Sequence, residues 1–466
     1  MKEIQALFAL QRQALAEVTS ASERRQQLRQ LWEAVLAHED ALVEALAMDL
    51  GKPREEVHLQ EIFPLKSEIK FARRHLRGWM ATRPVGTSLA MLGTRSEVVV
   101  HPKGQVLIIS PWNFPVILTL RPLVSAIAAG NKVIVKPSEH TPKTSKVIAD
   151  IVAQAFTEAQ ASVVLGGPDV SAFLTSLPFQ HICFTGGTHI GKKVMTAAAE
   201  NLASVTLELG GKSPAVVDAT AHLQDASRRL AWGKCLNNGQ VCIAPDYALV
   251  EESIAPAFLE AMKARFDDMY GSDEASQLHS DQRSQIVNDA HFQRVVGLIE
   301  DAVAQGAEVI HGGTWDAAAR RIAPTLLTGV TLDMKVMQEE IFGPVLPVMT
   351  WRDPSEVQTL VQANPHPLAM YFFSKNETAI SAWMRAIPAG TTGVNEVVLH
   401  VANPNLPFGG IQTSGIGRTG GLAGFEAFSN MRSVLRQTSR FNVLPWTFPP
   451  FNGFSLTLAR LVQRWL

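Results

Sequence analysis

A lone thiol and a separate carboxylate are the groups in this chain best suited to covalent chemistry. Cys242 lies in the run Asn237-Asn238-Gly239-Gln240-Val241-Cys242-Ile243-Ala244-Pro245-Asp246, and Glu208 lies upstream in Leu207-Glu208-Leu209-Gly210-Gly211-Lys212. A thiolate can add to a carbonyl carbon, and a carboxylate can then activate the water that releases the adduct. A free thiol has a pKa of about 8.5 and is only slightly ionised at neutral pH, so its surroundings decide whether it reacts. Taken alone, a cysteine is more often a small buried hydrophobe, and Glu208 reads equally well as a surface residue ending a strand. At the end of an apolar strand facing a crevice, however, desolvation would move the Glu208 pKa toward neutrality. Cys183 reads as strand core and Cys235 as helix packing.

These groups need elements to hold them. Residues 1–80 read as mostly helical, with Leu28, Leu31, Trp32, Val35 and Leu36 at helical spacing and a break at Gly51-Lys52-Pro53. From residue 98 short apolar runs alternate with helical stretches. Strands are predicted at 106–109, 133–135, 163–165, 181–184 and 205–207, and helices at 116–129, 143–159 and 189–200. Strands apolar on both faces and separated by helices imply a parallel sheet with crossovers. A second α/β series runs from about 214 to 395, with strands at 215–217, 247–250 and 368–374 and helices at 256–268 and 287–305. Asn237-Asn238-Gly239 reads as a turn after a helix over 224–236, placing Cys242 on a loop that enters the next strand. Asn113 is a candidate cap for the helix starting near Pro115. Residues 81–97 read as a hairpin. Gly415-Ile416-Gly417-Arg418-Thr419-Gly420 fits a dinucleotide-loop pattern but lacks the preceding strand and following long helix, so it reads as an ordinary loop.

Composition narrows the class. The 466 residues suggest about three domains. A net charge of -1 without a basic block argues against nucleic-acid binding. Three cysteines make no disulfide framework and no metal spacing, which suits a reducing cytoplasm. The N-terminus lacks a signal-peptide pattern, and no apolar run is long enough to span a bilayer. In the tail, Leu458, Leu461, Val462 and Trp465 share one helical face. That face could cap a substrate funnel, lie on a membrane surface, or dock on the subunit itself.

The Cys242 and Glu208 segments occur together with Pro111-Trp112-Asn113-Phe114-Pro115, Lys136-Pro137-Ser138-Glu139, Phe184-Thr185-Gly186-Gly187 and Glu339-Glu340-Ile341-Phe342-Gly343-Pro344. This set resembles the aldehyde dehydrogenase superfamily from about residue 1 to 437, and residues 397–410 are close to its class 3 branch. The resemblance implies an α/β fold in which 1–80 with 98–209 bind NAD(P) in a Rossmann-like domain and 210–410 form the catalytic domain. In it, 81–97 with 411–440 bridge or oligomerise; 441–466, beyond the stretch it covers, read as a tail helix from their own apolar spacing. It makes Cys242 the nucleophile, Glu208 the general base, and the Asn113 amide with the Cys242 N–H the oxyanion donors. Lys136 and Glu139 would hold the adenosine ribose. Trp112, Thr185, Gly186 and Gly187 would lie along the cofactor, with Glu340 on the nicotinamide ribose and Phe342 near the nicotinamide. The cofactor implied is NAD, and NADP is often accepted in this branch. The substrate implied is a medium- or long-chain aliphatic or an aromatic aldehyde, and the assembly a homodimer. The alternatives are a CoA-acylating dehydrogenase, against which Glu208 argues, and a non-catalytic protein on the same scaffold. Two departures stand out: Gly187, where the family often has Ser or Asn, and Arg418-Thr419-Gly420-Gly421, where it usually has Tyr-His-Gly-Lys.

Overall fold

The β-branched runs between residues 105 and 208 assemble into one sheet. In order across it, the strands are Ala161–Val163, Lys132–Lys136, Gln105–Ile109, His181–Thr185, Ser204–Glu208 and Gly415–Ile416. All neighbours are parallel except the last pair. Gln105–Ile109 and Lys132–Lys136 are buried along their whole length, because helices cover both faces. A second sheet of seven strands contains Pro214–Val217, Tyr247–Glu251, Val345–Trp351 and Ala369–Phe373 near its centre. Its one antiparallel neighbour is the edge strand Glu308–His311. The computed structural model describes residues 1–88, 91–439, 445 and 448–465, the last segment without the side chains of Val462 and Trp465.

Several element ends differ from the sequence expectation. The strand expected at 163–165 is Ala161–Val163, and the helix expected to reach 159 ends at Ala155, where a turn at Thr157 intervenes. The hairpin of 81–97 extends further: Arg83–Val85 pairs with Thr94–Pro102, which pairs along its length with Ser429–Gln437. The expectation that 415–420 is only a loop is corrected. Gly415–Ile416 adds an antiparallel strand directly beside Glu208 and Leu207. Glycine is required there for contact: a Cβ on Gly415 would sit 2.4 Å from the Leu207 carbonyl oxygen.

The tail forms a helix, Gly453–Trp465. On its expected apolar face Leu461 is exposed and Leu458 half-buried, while the side chains of Val462 and Trp465 lie outside the described residues. Among the described residues no helix is long and apolar enough to cross a membrane.

Candidate active site

The loop carrying Cys242 takes its shape from three successive left-handed residues. After the helix Leu223–Cys235, Asn237, Asn238 and Gly239 have φ of +47°, +56° and +77°. Asparagine tolerates this region and glycine prefers it. Gly239 is also pressed against Gly343, since a Cβ would meet the Gly343 carbonyl oxygen at 2.2 Å. Buried Arg283 holds the Asn238 side chain, and Gln240 ties the loop to the backbone of Gln285 and Val287.

Asn113 packs against this loop and does not cap a helix. Its amide donates to the Gln240 carbonyl at 2.9 Å, leaving one amide hydrogen for another acceptor. The helix Ile117–Ala129 is capped instead by Glu61, whose carboxylate accepts the N–H groups of Val116 and Ile117 at 3.1 and 2.9 Å. Glu61 lies in a single π-helical turn, His58–Ile62, and pairs with buried Lys52 at 2.7 Å. Lys52 donates to the Asn113 carbonyl at 3.2 Å, and the Asn237 side chain donates to the same oxygen at 2.8 Å. Lys52 and Glu61 thus fix Asn113. Sequence reading missed both, because they act through distant backbone groups and form no local motif.

Cys242, Asn113 and Glu208 line one cavity of about 310 Å³, together with Trp112, Thr185, Gly186, Gly187, Glu340 and Phe342. Cys242 is the only one of the three cysteines that is not buried. Its surroundings nonetheless push its thiol well up, through desolvation and then the nearby Glu340 and Glu208, against which its own N–H and that of Ile243 favour the thiolate. Glu208 ends the strand Ser204–Glu208, and burial raises its pKa to about 8, opposed by a hydrogen bond from Thr419 and by the charges of Arg121 and Arg418. From another side Cys242 opens onto a second cavity, of about 370 Å³, lined by Phe63, Phe114, Leu118, Val241, Val401 and Phe408 among others.

The first cavity has features suited to a dinucleotide. The helix Thr188–Glu200 begins there with Gly187 as an N-cap that offers no side chain, leaving free N–H groups that favour a phosphate. The Glu340 oxygen Oε1 is buried without a partner among the described residues, and sugar hydroxyls could supply one. Burial, and then the neighbouring charge of Asp246, raise the Glu340 pKa to about 8. Its loop is clamped by Arg294, which donates to the carbonyls of Glu340 and Ile341, and by Lys212, which donates to the carbonyl of Glu339. Trp112 sits edge-on to Phe342 and beside His291. His291 and Arg294 also line this cavity; one turn apart on the helix Asp289–Ala304, they carried no recognisable motif in the sequence. Lys136 and Glu139 stand apart from this lining, paired with each other at the end of the strand Lys132–Lys136.

Comparison with known proteins follows the same lines. The model of the Aldehyde dehydrogenase family matches residues 3–434. The chain is 40% identical to a 4,4'-diaponeurosporen-aldehyde dehydrogenase of Staphylococcus aureus over 430 residues, 92% of each chain. It is 41% identical to a dimeric NADP-preferring aldehyde dehydrogenase of Rattus norvegicus, over 88% of this chain and 89% of the relative. A solved substrate-bound structure of Staphylococcus aureus AldH superposes with a TM-score of 0.94 at 38% identity, covering 99% of both chains.

Proposed function

The chain belongs to the aldehyde dehydrogenase family, and we propose that it oxidises medium- to long-chain aliphatic or aromatic aldehydes to carboxylic acids through a thioester on Cys242. The observation that carries this reading is the position of Cys242 between two cavities. One is lined by groups suited to a nucleotide and the other almost wholly by apolar side chains. An apolar tail bound in the second cavity would bring its carbonyl carbon to the sulfur.

In this reading the Cys242 thiol gives up its proton to solvent and the sulfur bonds to the carbonyl carbon as the C=O π bond breaks onto oxygen. The free amide hydrogen of Asn113 and the Cys242 N–H hold the oxygen as it gains charge. Loss of one such donor typically costs about 2.7–4 kcal/mol in the transition state. A bound NAD(P) would supply the acceptor for the hydride that leaves this carbon as its C–O bond becomes the thioester carbonyl. Glu340, Trp112 and Phe342 would hold its nicotinamide half, Thr185, Gly186 and Gly187 its pyrophosphate, and Lys136 and Glu139 its adenosine ribose. A carboxylate at Glu139 accepts ribose hydroxyls and disfavours a 2′-phosphate, which favours NAD, although the rat relative is named as NADP-preferring. Glu208 then takes a proton from water, water oxygen adds to the thioester carbon, the C–S bond breaks, and the acid leaves. Glu208 supports water, not CoA, as the acyl acceptor.

We further place the working unit as a homodimer joined through the three-stranded sheet that contains 83–85, 94–102 and 429–437. Support comes from that sheet's long outer strand and from a relative named as dimeric.

The direct test is nicotinamide reduction with aldehydes from acetaldehyde through long alkanals to benzaldehyde and cinnamaldehydes. NAD and NADP are compared, CoA is omitted, and Cys242→Ser is the control. Turnover that rises with apolar size and vanishes in Cys242→Ser is expected. Turnover that persists in Cys242→Ser would refute the covalent route, and a strict need for CoA would refute hydrolysis.

A further inference from the structure

Glu208 does not stand alone in its cavity. Thr419 Oγ1 donates to Glu208 Oε1 at 3.0 Å, while Glu208 Oε2 is buried with no partner among the described residues. Thr419 itself is 8% exposed and rigidly placed. Its N–H donates to the Phe408 carbonyl at 2.7 Å and its carbonyl accepts the Phe408 N–H at 3.1 Å. The hydroxyl has a second acceptor in reach, the same Phe408 carbonyl, at 3.4 Å. One hydroxyl proton can serve only one of these acceptors at a time. It can therefore turn to the carboxylate or withdraw to the carbonyl without being left unsatisfied.

We propose that Thr419 is the positioning residue of Glu208: its hydroxyl docks Oε1 and leaves Oε2 as the oxygen that takes the proton from water. This rests on the reading of Glu208 as the base for acyl release.

A hydrogen bond donated to a carboxylate favours its ionised form. The other charged groups that act on Glu208 are Arg121 from the helix Ile117–Ala129 and Arg418 on the adjoining loop, while Cys183 on the neighbouring strand and Cys242 across the cavity feel its charge. Arg121 is paired with Glu68, and Arg418 is held by the carbonyls of Gly410 and Gly417. None of these partners involves the Thr419 hydroxyl, so its removal isolates one hydrogen bond.

The experiment measures acyl release against pH in Thr419→Val, Thr419→Ser and Glu208→Gln, with hydride transfer followed separately in a single turnover. Thr419→Ala is a second removal variant should valine disturb folding. The expected result for Thr419→Val is an acyl-release profile displaced to higher pH, with the rate near neutrality falling about tenfold per pKa unit of displacement. The aldehyde KM and the single-turnover hydride step should stay as in the parent, and Thr419→Ser should restore the acyl-release profile. An undisplaced profile in both removal variants, or a uniform loss at every pH that serine does not rescue, overturns the proposal. If Glu208→Gln keeps the parent acyl-release profile, Glu208 is not the base and the reading beneath the proposal fails instead. If Glu208→Gln abolishes acyl release while Thr419→Val behaves as the parent, only the proposal fails.

Discussion

At the scale of single residues, Glu208 shows how function and stability oppose each other. Burial raises its pKa from 4.5 to about 8, so folding takes up a proton at pH values between the two. The stability held below the unfolded-state pKa is therefore lost as pH rises through the folded-state value, at up to about 1.4 kcal/mol per pKa unit. Glu208→Gln removes this loss. Its melting temperature should match the parent near about pH 4 and exceed it increasingly up to about pH 9. A constant offset between the two melting curves would argue against the buried charge as the cause. Gly187 offers a test of the opposite kind. Its φ of -68° and ψ of 146° suit any residue, and an added Cβ would meet nothing within 4 Å. Gly187→Ser should fold normally and bind NAD several-fold more tightly by calorimetry, because the new hydroxyl faces the proposed pyrophosphate position. Unchanged affinity would place the pyrophosphate elsewhere. Cys242, Glu208 and Asn113, which line one cavity, could be picked out in the sequence because the segments around them resemble those of a known family, not because of any local periodicity. Glu61, Lys52 and Thr419 could not. Glu61 acts 55 positions away on Val116, and Thr419 acts 211 positions away on Glu208.

At the scale of elements, the sheets were legible where apolar runs are buried on both faces, as in Val133-Ile134-Val135. The two-residue strand Gly415–Ile416 was not, since two residues carry no periodicity and only their pairing with Glu208 and Leu207 defines it. The π-turn was equally hidden. It places Glu61 to cap one helix and pair with Lys52, so three elements meet at Asn113. Breaking a buried pair by removing one partner typically costs about 3–5 kcal/mol, whereas replacing both with apolar groups costs much less. Glu61→Leu and Lys52→Met should therefore each destabilise the fold strongly, and the double variant should regain much of the loss in chemical denaturation. The double variant should still form the thioester slowly, because the Asn113 carbonyl has lost its lysine donor. A double variant restored in stability and also fully active would show that Asn237 alone suffices to hold Asn113.

At the scale of the molecule, the three-stranded sheet shares no strand with the two larger sheets and leaves a long strand at its margin. Ser429–Gln437 spans nine residues, pairs on one side with Thr94–Pro102, and exposes Met431 and Leu435. Natural proteins blunt such edges with charge or cover them, because their unpaired backbone groups recruit another strand. Arg432 and Arg436 supply some charge here, yet Arg436 is drawn back onto buried Glu97 at 2.6 Å. That leaves Leu435, 54% exposed, as the most exposed large apolar residue of this strand. The expected outcome is a protein that sediments at twice the chain mass in micromolar solution. Leu435→Lys combined with Met431→Lys should shift it toward the monomer. Neither side chain lines the two cavities that share Cys242, so the cysteine-dependent hydride step should survive in the monomer. A parent that sediments as a monomer, or a double-lysine variant that remains dimeric, would move the interface to another face of the molecule.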